Sequence, residues 1–290
     1  IQTSQVQPIE PVFVDYKKDM SQFEAQPGID VLYKKNETND IFTLIYVFNP
    51  GTENDPALNL AFNYLSYLGT DKMTAEEIAS EMYDIACSFY MNAGANQSSI
   101  QITGLSENMG KAMEIVEGLI AGAKPDEAIL ENCKADMLKS RADAKLNQSR
   151  CFGALQRYLF YGGDFIRRTT LTDPALQALT SEQLLAKIGG LMGKQHEVLY
   201  YGPQKEAEVK SALAEHHKVA ADLQPLEKKF STLLPTDANK VVLAQYDAKQ
   251  LYYLQFSNRG EKFDVAADPE ITLYNEYFGG GMNTIVFQEM

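Results

Sequence analysis

The order of structural elements repeats along the chain, and this repeat limits the available folds more than any other feature. Both copies read strand, turn, longer strand, loop, Asp-Pro, helix, and then an aromatic residue followed by glycine. The first copy occupies residues 31–69 and the second residues 241–279, with the Asp-Pro step at residues 55–56 and 268–269. Two copies of one pattern indicate two related domains in tandem. The alternative is a chance similarity of common α/β parts.

Strands and helices are mixed rather than strictly alternating, which favours an α+β fold. Alternating apolar runs bounded by turn residues predict strands, and apolar spacing of three and four residues predicts helices. The predicted strands are residues 31–33, 41–48, 89–93, 99–103, 196–201, 241–244 and 250–257. The predicted helices include residues 56–68, 74–86, 106–121, 125–147, 181–193, 204–217 and 268–278. We expect an antiparallel sheet with helices packed on one face.

Composition shifts divide the chain into four segments. Residues 1–26 are a lead-in or linker, residues 27–225 a complete domain, residues 226–238 a linker, and residues 239–290 the start of a second homologous domain. The chain begins with isoleucine and stops in a stretch that reads as unfinished. We therefore expect it to be a piece of a longer polypeptide.

Charge and cysteine content exclude several classes of protein. The formal net charge of −13 and the pI near 4.8 argue against a nucleic-acid partner. No apolar run is long enough to span a membrane, so we expect a soluble protein, periplasmic or cytoplasmic. The three cysteines, Cys87, Cys133 and Cys151, form no C-x-x-C pair. This excludes zinc ribbons and thioredoxin chemistry, and we expect buried, inert thiols.

Several short segments carry a specific family resemblance. The sequence YNEYFGGGMN at residues 274–283, followed by VFQEM at residues 286–290, resembles the start of a C-terminal domain in the insulinase/pitrilysin zinc peptidases. Residues 68–78 and 104–119 are similar to the body of an N-terminal-type repeat in the same family. The resemblance covers residues 28–290, nearly the whole chain.

The resemblance implies an architecture and a chemistry. Family members carry two homologous α+β domains in each half, and larger members have two halves that close around a peptide. In the active half a helix carries H-x-x-E-H, whose two histidines bind zinc and whose glutamate is the general base; a glutamate from a later helix completes the site. The zinc lowers the pKa of a bound water and polarises the scissile carbonyl.

This chain departs from the family pattern at every catalytic position. Counting back from the glycine that ends the helix, the motif ligands fall on Leu60 and Tyr64, and the general-base position falls on Asn63. An asparagine cannot accept a proton from zinc-bound water at neutral pH. Residues 132–181 contain no glutamate, and the closest match for the later ligand is Ser140. The resemblance therefore implies a non-catalytic half that holds no zinc, with zinc in the catalytic half of the parent.

The expected role is to enclose and bind peptide opposite an active half, which is either part of the same polypeptide or a partner subunit. Three tyrosines, Tyr252, Tyr253 and Tyr277, fall where the family has a chamber wall, and tyrosine combines apolar area with a hydrogen-bonding tip. Ordinary core packing is the alternative for them. The alternative for the whole chain is a stand-alone binding or assembly module. A third hypothesis, an active enzyme with a relocated metal site, lacks a supporting cluster of histidine and glutamate.

Three further motifs could suggest metal or phosphate sites. The segment from His196 to Tyr200 has zincin-like spacing but ends in tyrosine and reads as a strand, so we interpret His196 as a residue at a strand edge. His216 and His217 are adjacent and would point about 100° apart on a helix, so we expect solvated side chains. The glycines at 279–281 lack phosphate-loop spacing and predict a tight turn.

Overall fold

The computed structural model describes residues 13–225, 231–247, 250–258, 260, 262 and 264–289. The chain divides into two compact units, residues 1–232 and residues 233–290. We call these the N-terminal unit and the C-terminal unit. Within the described residues, no helix is both long enough and apolar enough to cross a membrane.

The N-terminal unit is built on one six-stranded sheet. Its strands are β1 (Ser21–Gln26), β2 (Ile29–Lys35), β3 (Ile41–Phe48), β4 (Cys87–Ala93), β5 (Ser98–Leu105) and β6 (His196–Gly202). Their order across the sheet is β1-β2-β6-β3-β5-β4. All neighbours are antiparallel except β2 and β6, which are parallel. The sheet is therefore mixed, not wholly antiparallel as predicted, because β6 enters beside β2 only after a long helical connection.

Nine helices of this unit are described. They are α1 (Tyr16–Asp19), α2 (Leu58–Leu65), α3 (Ala75–Asp84), α4 (Met109–Gly122), α5 (Glu127–Lys145), α6 (Gln148–Thr169, broken at Gly162), α7 (Asp173–Ala178), α8 (Ser181–Met192) and α9 (Glu206–His216). The capping box predicted for α3 is present, with Glu77 N–H donating to Thr74 Oγ1 at 3.1 Å and Thr74 N–H to Glu77 at 2.8 Å. Such reciprocal bonds satisfy donors that a helix start otherwise leaves unpaired.

The hydrophobic core lies between one face of the sheet and the helices. Along β3 every second side chain is buried, including Phe42, Leu44 and Tyr46, while the intervening residues are half-buried. The period of two places the large side chains on one face, where α2 and α4 cover them. Each such side chain contributes about 1.5–3 kcal/mol when removed from water. The α+β arrangement with helices packed on one face is confirmed.

The N-terminal edge of the sheet contains residues that the sequence assigned to a lead-in. Residues 21–26 form β1, which pairs with β2 and has an irregular register between Glu24 and Gln26. Phe23 packs against the core, and the Lys210 ammonium lies 4.3 Å from its ring centroid. A short strand with a bulge shows only weak alternation of apolar and polar residues, so the sequence did not predict β1.

The C-terminal unit contains two described helices, α10 (Asp268–Phe278) and α11 (Ile285–Glu289). The helix predicted after Asp268-Pro269 is confirmed. The strands predicted at residues 241–244 and 250–257 do not form: no strand occurs in the described part of this unit. An isolated strand pair is at best marginally stable in water without a third strand or a packed face. Consistent with this, Val241, Leu243 and Leu251 are exposed.

Candidate functional site

A cleft between α2 and α5 contains two of the positions where the sequence places degenerate catalytic residues. It has a volume of about 400 Å³ and is lined by Asn59, Asn63, Cys133, Asp136, Met137, Ser140, Arg141, Ala144 and Arg150. Asn63 on α2 and Ser140 on α5 are both exposed and both line it. The structure therefore brings these two predicted residues together across one cavity.

Leu60 and Tyr64 do not line the cleft. Both side chains have 0% exposed surface and belong to the hydrophobic core. The residues of α2 that do line it are Asn59 and Asn63, which are one helical turn apart and share a face. The pair facing the cleft thus lies one residue earlier than counting back from Gly69 suggested. Asparagine is polar, so Asn59 and Asn63 do not contribute to the apolar periodicity from which the helix was predicted.

The Tyr64 hydroxyl joins three elements beneath the cleft. It donates a hydrogen bond to Ser181 Oγ at 2.8 Å and accepts one from the Asp126 backbone N–H at 2.7 Å. Asp126 is the N-cap of α5, and Ser181 begins α8. Because the tyrosine and Ser181 are fully buried, these bonds hold the starts of two helices against α2. Tyr64 is a structural residue here.

The polar groups that line the cleft are two carboxamides, the Ser140 hydroxyl, the Cys133 thiol and charged side chains that include the Asp136 carboxylate. Within residues 13–225 and the other described ranges, no group of three histidine, cysteine, aspartate or glutamate side chains is arranged to hold a metal ion. The Arg141 guanidinium forms an ion pair with the Asp173 carboxylate and donates a hydrogen bond to the Leu171 carbonyl, with an N···O distance of 2.7 Å. Asparagine and serine side chains both donate and accept hydrogen bonds, and a peptide main chain offers matching groups.

One edge of the sheet is formed by β4. Among the described strands β4 pairs with β5 only, and it contacts α2, the helix that bears the two asparagines. Ser88, Tyr90 and Asn92 are exposed on the face of β4 that points away from the helices. An open strand edge can accept an additional strand from another chain.

The three tyrosines assigned to a chamber wall lie in the C-terminal unit. Tyr252 and Tyr253 lie outside the described helices and strands, and Tyr277 lies near the end of α10. All three side chains are exposed. Their role as a peptide-contacting surface stays a prediction.

Two histidines that the sequence analysis placed in solvent are buried. His196 lies on β6, an interior strand of the sheet, and is 4% exposed, while His217 follows α9 and is 5% exposed. Both expectations, a strand-edge residue and a solvated side chain, are therefore wrong. Alternation along β6 could have indicated the burial of His196, because it shares a face with Val198 and Tyr200. His217 gave no comparable signal.

The cysteines behave largely as expected. Cys87 and Cys133 are buried, and burial raises the pKa of both thiols, which keeps them protonated and unreactive. Cys151 is only half-buried, and its thiol lies 3.4 Å from the Lys145 carbonyl.

Comparison with known proteins identifies the fold. No family model and no curated protein sequence matches the chain. Solved structures do match. The periplasmic protease PqqL from Escherichia coli has a TM-score of 0.65 and 14% identity, over 83% of this chain and 29% of that chain. An M16 peptidase inactive domain from Pseudomonas fluorescens has a TM-score of 0.63 and 15% identity, over 72% of this chain and 52% of that chain.

An M16-like peptidase from Alicyclobacillus acidocaldarius also matches, with a TM-score of 0.58 and 12% identity, over 74% of this chain and 53% of that chain. The fold is therefore that of M16, or pitrilysin-like, peptidase domains, one of which is inactive. The chain spans about half the length of two of these structures and less than a third of the other. Domains of this fold thus occur as parts of larger proteases.

Proposed function

We propose that this chain is a non-catalytic half of a zinc metalloendopeptidase, which encloses and binds peptide opposite an active half. The observation that carries the proposal is the composition of the cleft. Asn63 and Ser140 line it, and the resemblance places the general base and the later glutamate ligand at these two positions. Asn59, one helical turn before Asn63, lines the cleft as well. The M16 peptidase fold supports the assignment.

Chemistry explains why such a half would not cleave peptides. Activation of a water molecule needs a metal held by imidazole or carboxylate ligands, or a general base with a suitable pKa. The carboxamides of Asn59 and Asn63 and the Ser140 hydroxyl meet neither need. Cys133 and Asp136 also line the cleft, but among the described residues they belong to no group of three that could hold a metal ion. The zinc would lie in the catalytic half, in the same polypeptide or in a partner subunit, and this chain would contribute enclosure and affinity.

Peptide binding is assigned to two surfaces of the N-terminal unit. An extended peptide could add to the β4 edge through main-chain hydrogen bonds, which give affinity without demanding a sequence. The carboxamides of Asn59 and Asn63 could donate to and accept from the same peptide, since both line the cleft. Exposed Tyr252, Tyr253 and Tyr277 are proposed as a further, aromatic contact surface.

The test measures binding and cleavage together on the 290-residue chain. A fluorescein-labelled unstructured 20-residue peptide is titrated by anisotropy with zinc present, and the mixture is then examined by mass spectrometry. We expect saturable binding without cleavage, and a several-fold weaker affinity after Asn59→Ala with Asn63→Ala. Asn132→Ala is the matched control, because this residue is exposed on α5 but does not line the cleft.

Two results would contradict the proposal. Cleavage by this chain alone would show that it is catalytic. If no peptide binds, the stand-alone assembly module is favoured instead, and its partner would be a folded protein surface.

A further inference from the structure

A chain of buried hydrogen bonds connects three parts of the N-terminal unit that the proposed function does not use. His196 Nδ1 lies 2.7 Å from the Lys194 carbonyl, and His196 Nε2 lies 2.8 Å from His217 Nε2. His217 Nδ1 in turn lies 2.5 Å from a carboxylate oxygen of Glu117. The chain thus joins β6, the end of α9 and the middle of α4.

The chemistry of the donors and acceptors fixes the number of protons in this chain. The Lys194 carbonyl can only accept, so His196 Nδ1 must carry a proton. One proton must also lie between the two Nε2 atoms, and one between His217 and Glu117. Three protons satisfy all three bonds, and the two imidazoles and the carboxyl then carry no net charge together. A fourth proton leaves a net positive charge, which burial disfavours.

The surroundings offer little to compensate such a charge. The side chain of His217 is 2% exposed and that of Glu117 is 13% exposed. From β3, the ring of Phe48 lies 4.7 Å from His196 and the ring of Tyr46 lies 4.2 Å from His217. Tyr46 is thus a titratable group that lies against the hydrogen-bond chain from β3. The Tyr46 hydroxyl has no hydrogen-bond partner among the described residues.

The location of His217 gives the chain a mechanical role. His217 is the C-cap of α9, and the residues after it return to the start of β6. There Gln195 N–H donates to the Gln224 carbonyl at 3.0 Å, and Gln224 N–H donates to the Gly193 carbonyl at 3.0 Å. These two backbone bonds, the histidine chain and the packing of Val219 and Leu223 with the hydrophobic core fix residues 218–225 to the unit.

We propose that His196, His217 and Glu117 form an acid-sensitive latch, which holds residues 218–225 closed at neutral pH and releases them in acid. Protonation of His196 at Nε2 opposes the proton that His217 Nε2 donates, and it introduces charge into an apolar site. The latch responds to protons alone, so its opening requires no other ligand and no partner protein.

The direction of the pH dependence follows from His196. Burial lowers its pKa from the usual 6.5 to about 4. The closed form therefore excludes a proton that the open form binds below pH 6.5. The contribution of His196 to closure is fully present above that pH and weakens progressively down to pH 4. Between pH 7.5 and pH 5 this difference increases the equilibrium constant for opening about 25-fold.

Hydrogen exchange read by mass spectrometry tests the latch. We expect the opening constant of amides 217–225, corrected for intrinsic exchange, to increase about 25-fold on that acidification. His196→Gln should abolish the increase, because its amide can donate to the Lys194 carbonyl and accept from His217 without titrating. His216→Gln, which changes the neighbouring histidine outside the chain, should retain it.

The proposal would be overturned if exchange depended on pH equally in the wild type and in His196→Gln. It would also be overturned if His216→Gln lost the pH dependence. If His196→Gln does not fold, the protonation state of His196 in the wild type provides the test. Two-bond ¹H–¹⁵N spectra should show His196 as the neutral Nδ1–H tautomer at pH 6, and a His196 that is half protonated at that pH or above contradicts the latch.

Discussion

Removal of one hydroxyl at Tyr64 should destabilise the N-terminal unit by about 2–4 kcal/mol. In Tyr64→Phe the ring keeps its packing, but Ser181 Oγ and the Asp126 N–H lose the partners they have at 2.8 and 2.7 Å. A polar group left unsatisfied in a buried site costs about 1–3 kcal/mol, which applies to the buried Ser181 hydroxyl. Loss of the part-buried bond from the Asp126 N–H adds about 1 kcal/mol. For a unit of this size, a loss of that magnitude lowers Tm by about 5–15 °C.

Urea unfolding followed by circular dichroism measures this loss, with Tyr67→Phe as the control because Tyr67 is exposed just after α2. In a double-mutant cycle, Tyr64→Phe with Ser181→Ala should cost less than the sum of the two single changes, since both remove the same bond. A Tyr64→Phe variant within 0.5 kcal/mol of the wild type, a margin typical of surface substitutions, would refute the structural role assigned to this residue.

Two further changes test the site and the core. Tyr46→Phe removes a buried hydroxyl that has no partner in the described structure, so we expect a gain of about 1 kcal/mol in the free energy of unfolding, measured by urea denaturation; a loss of similar size would contradict this. Asn59→His and Asn63→His combined with Ser140→Glu should create a three-ligand zinc site across the cleft. Competition with a chromogenic chelator should then show one zinc per chain, and failure to bind zinc would refute the geometry proposed for the cleft.

The sequence predicted the elements whose periodicity is strong. The residues that form β3, the capping box at Thr74 and the helix after Asp268-Pro269 were all identified, because each depends on local spacing or local hydrogen bonds. Resemblance to the pitrilysin-like family gave the fold class, which the structural matches confirm. It also pointed to α2 and α5 as the elements that bear the degenerate site.

Features that depend on tertiary packing could not be read from the sequence. The strand β1 is short and bulged, and the parallel pairing of β2 with β6 joins residues more than 160 positions apart. Counting back from Gly69 could not show which face of α2 is buried, so the burial of Leu60 and Tyr64 was not predicted. The histidine chain depends on residues from three elements, and only the folded unit brings His196 next to His217.

We propose that this chain binds peptide but does not activate water. To test this, the purified 290-residue chain is incubated with one equivalent of zinc and loosely bound metal is removed. Zinc content and peptide hydrolysis are then measured on the same sample. We predict no stoichiometric zinc and no hydrolysis, while the same sample still binds the labelled peptide. One zinc retained per chain together with peptide cleavage would contradict the account.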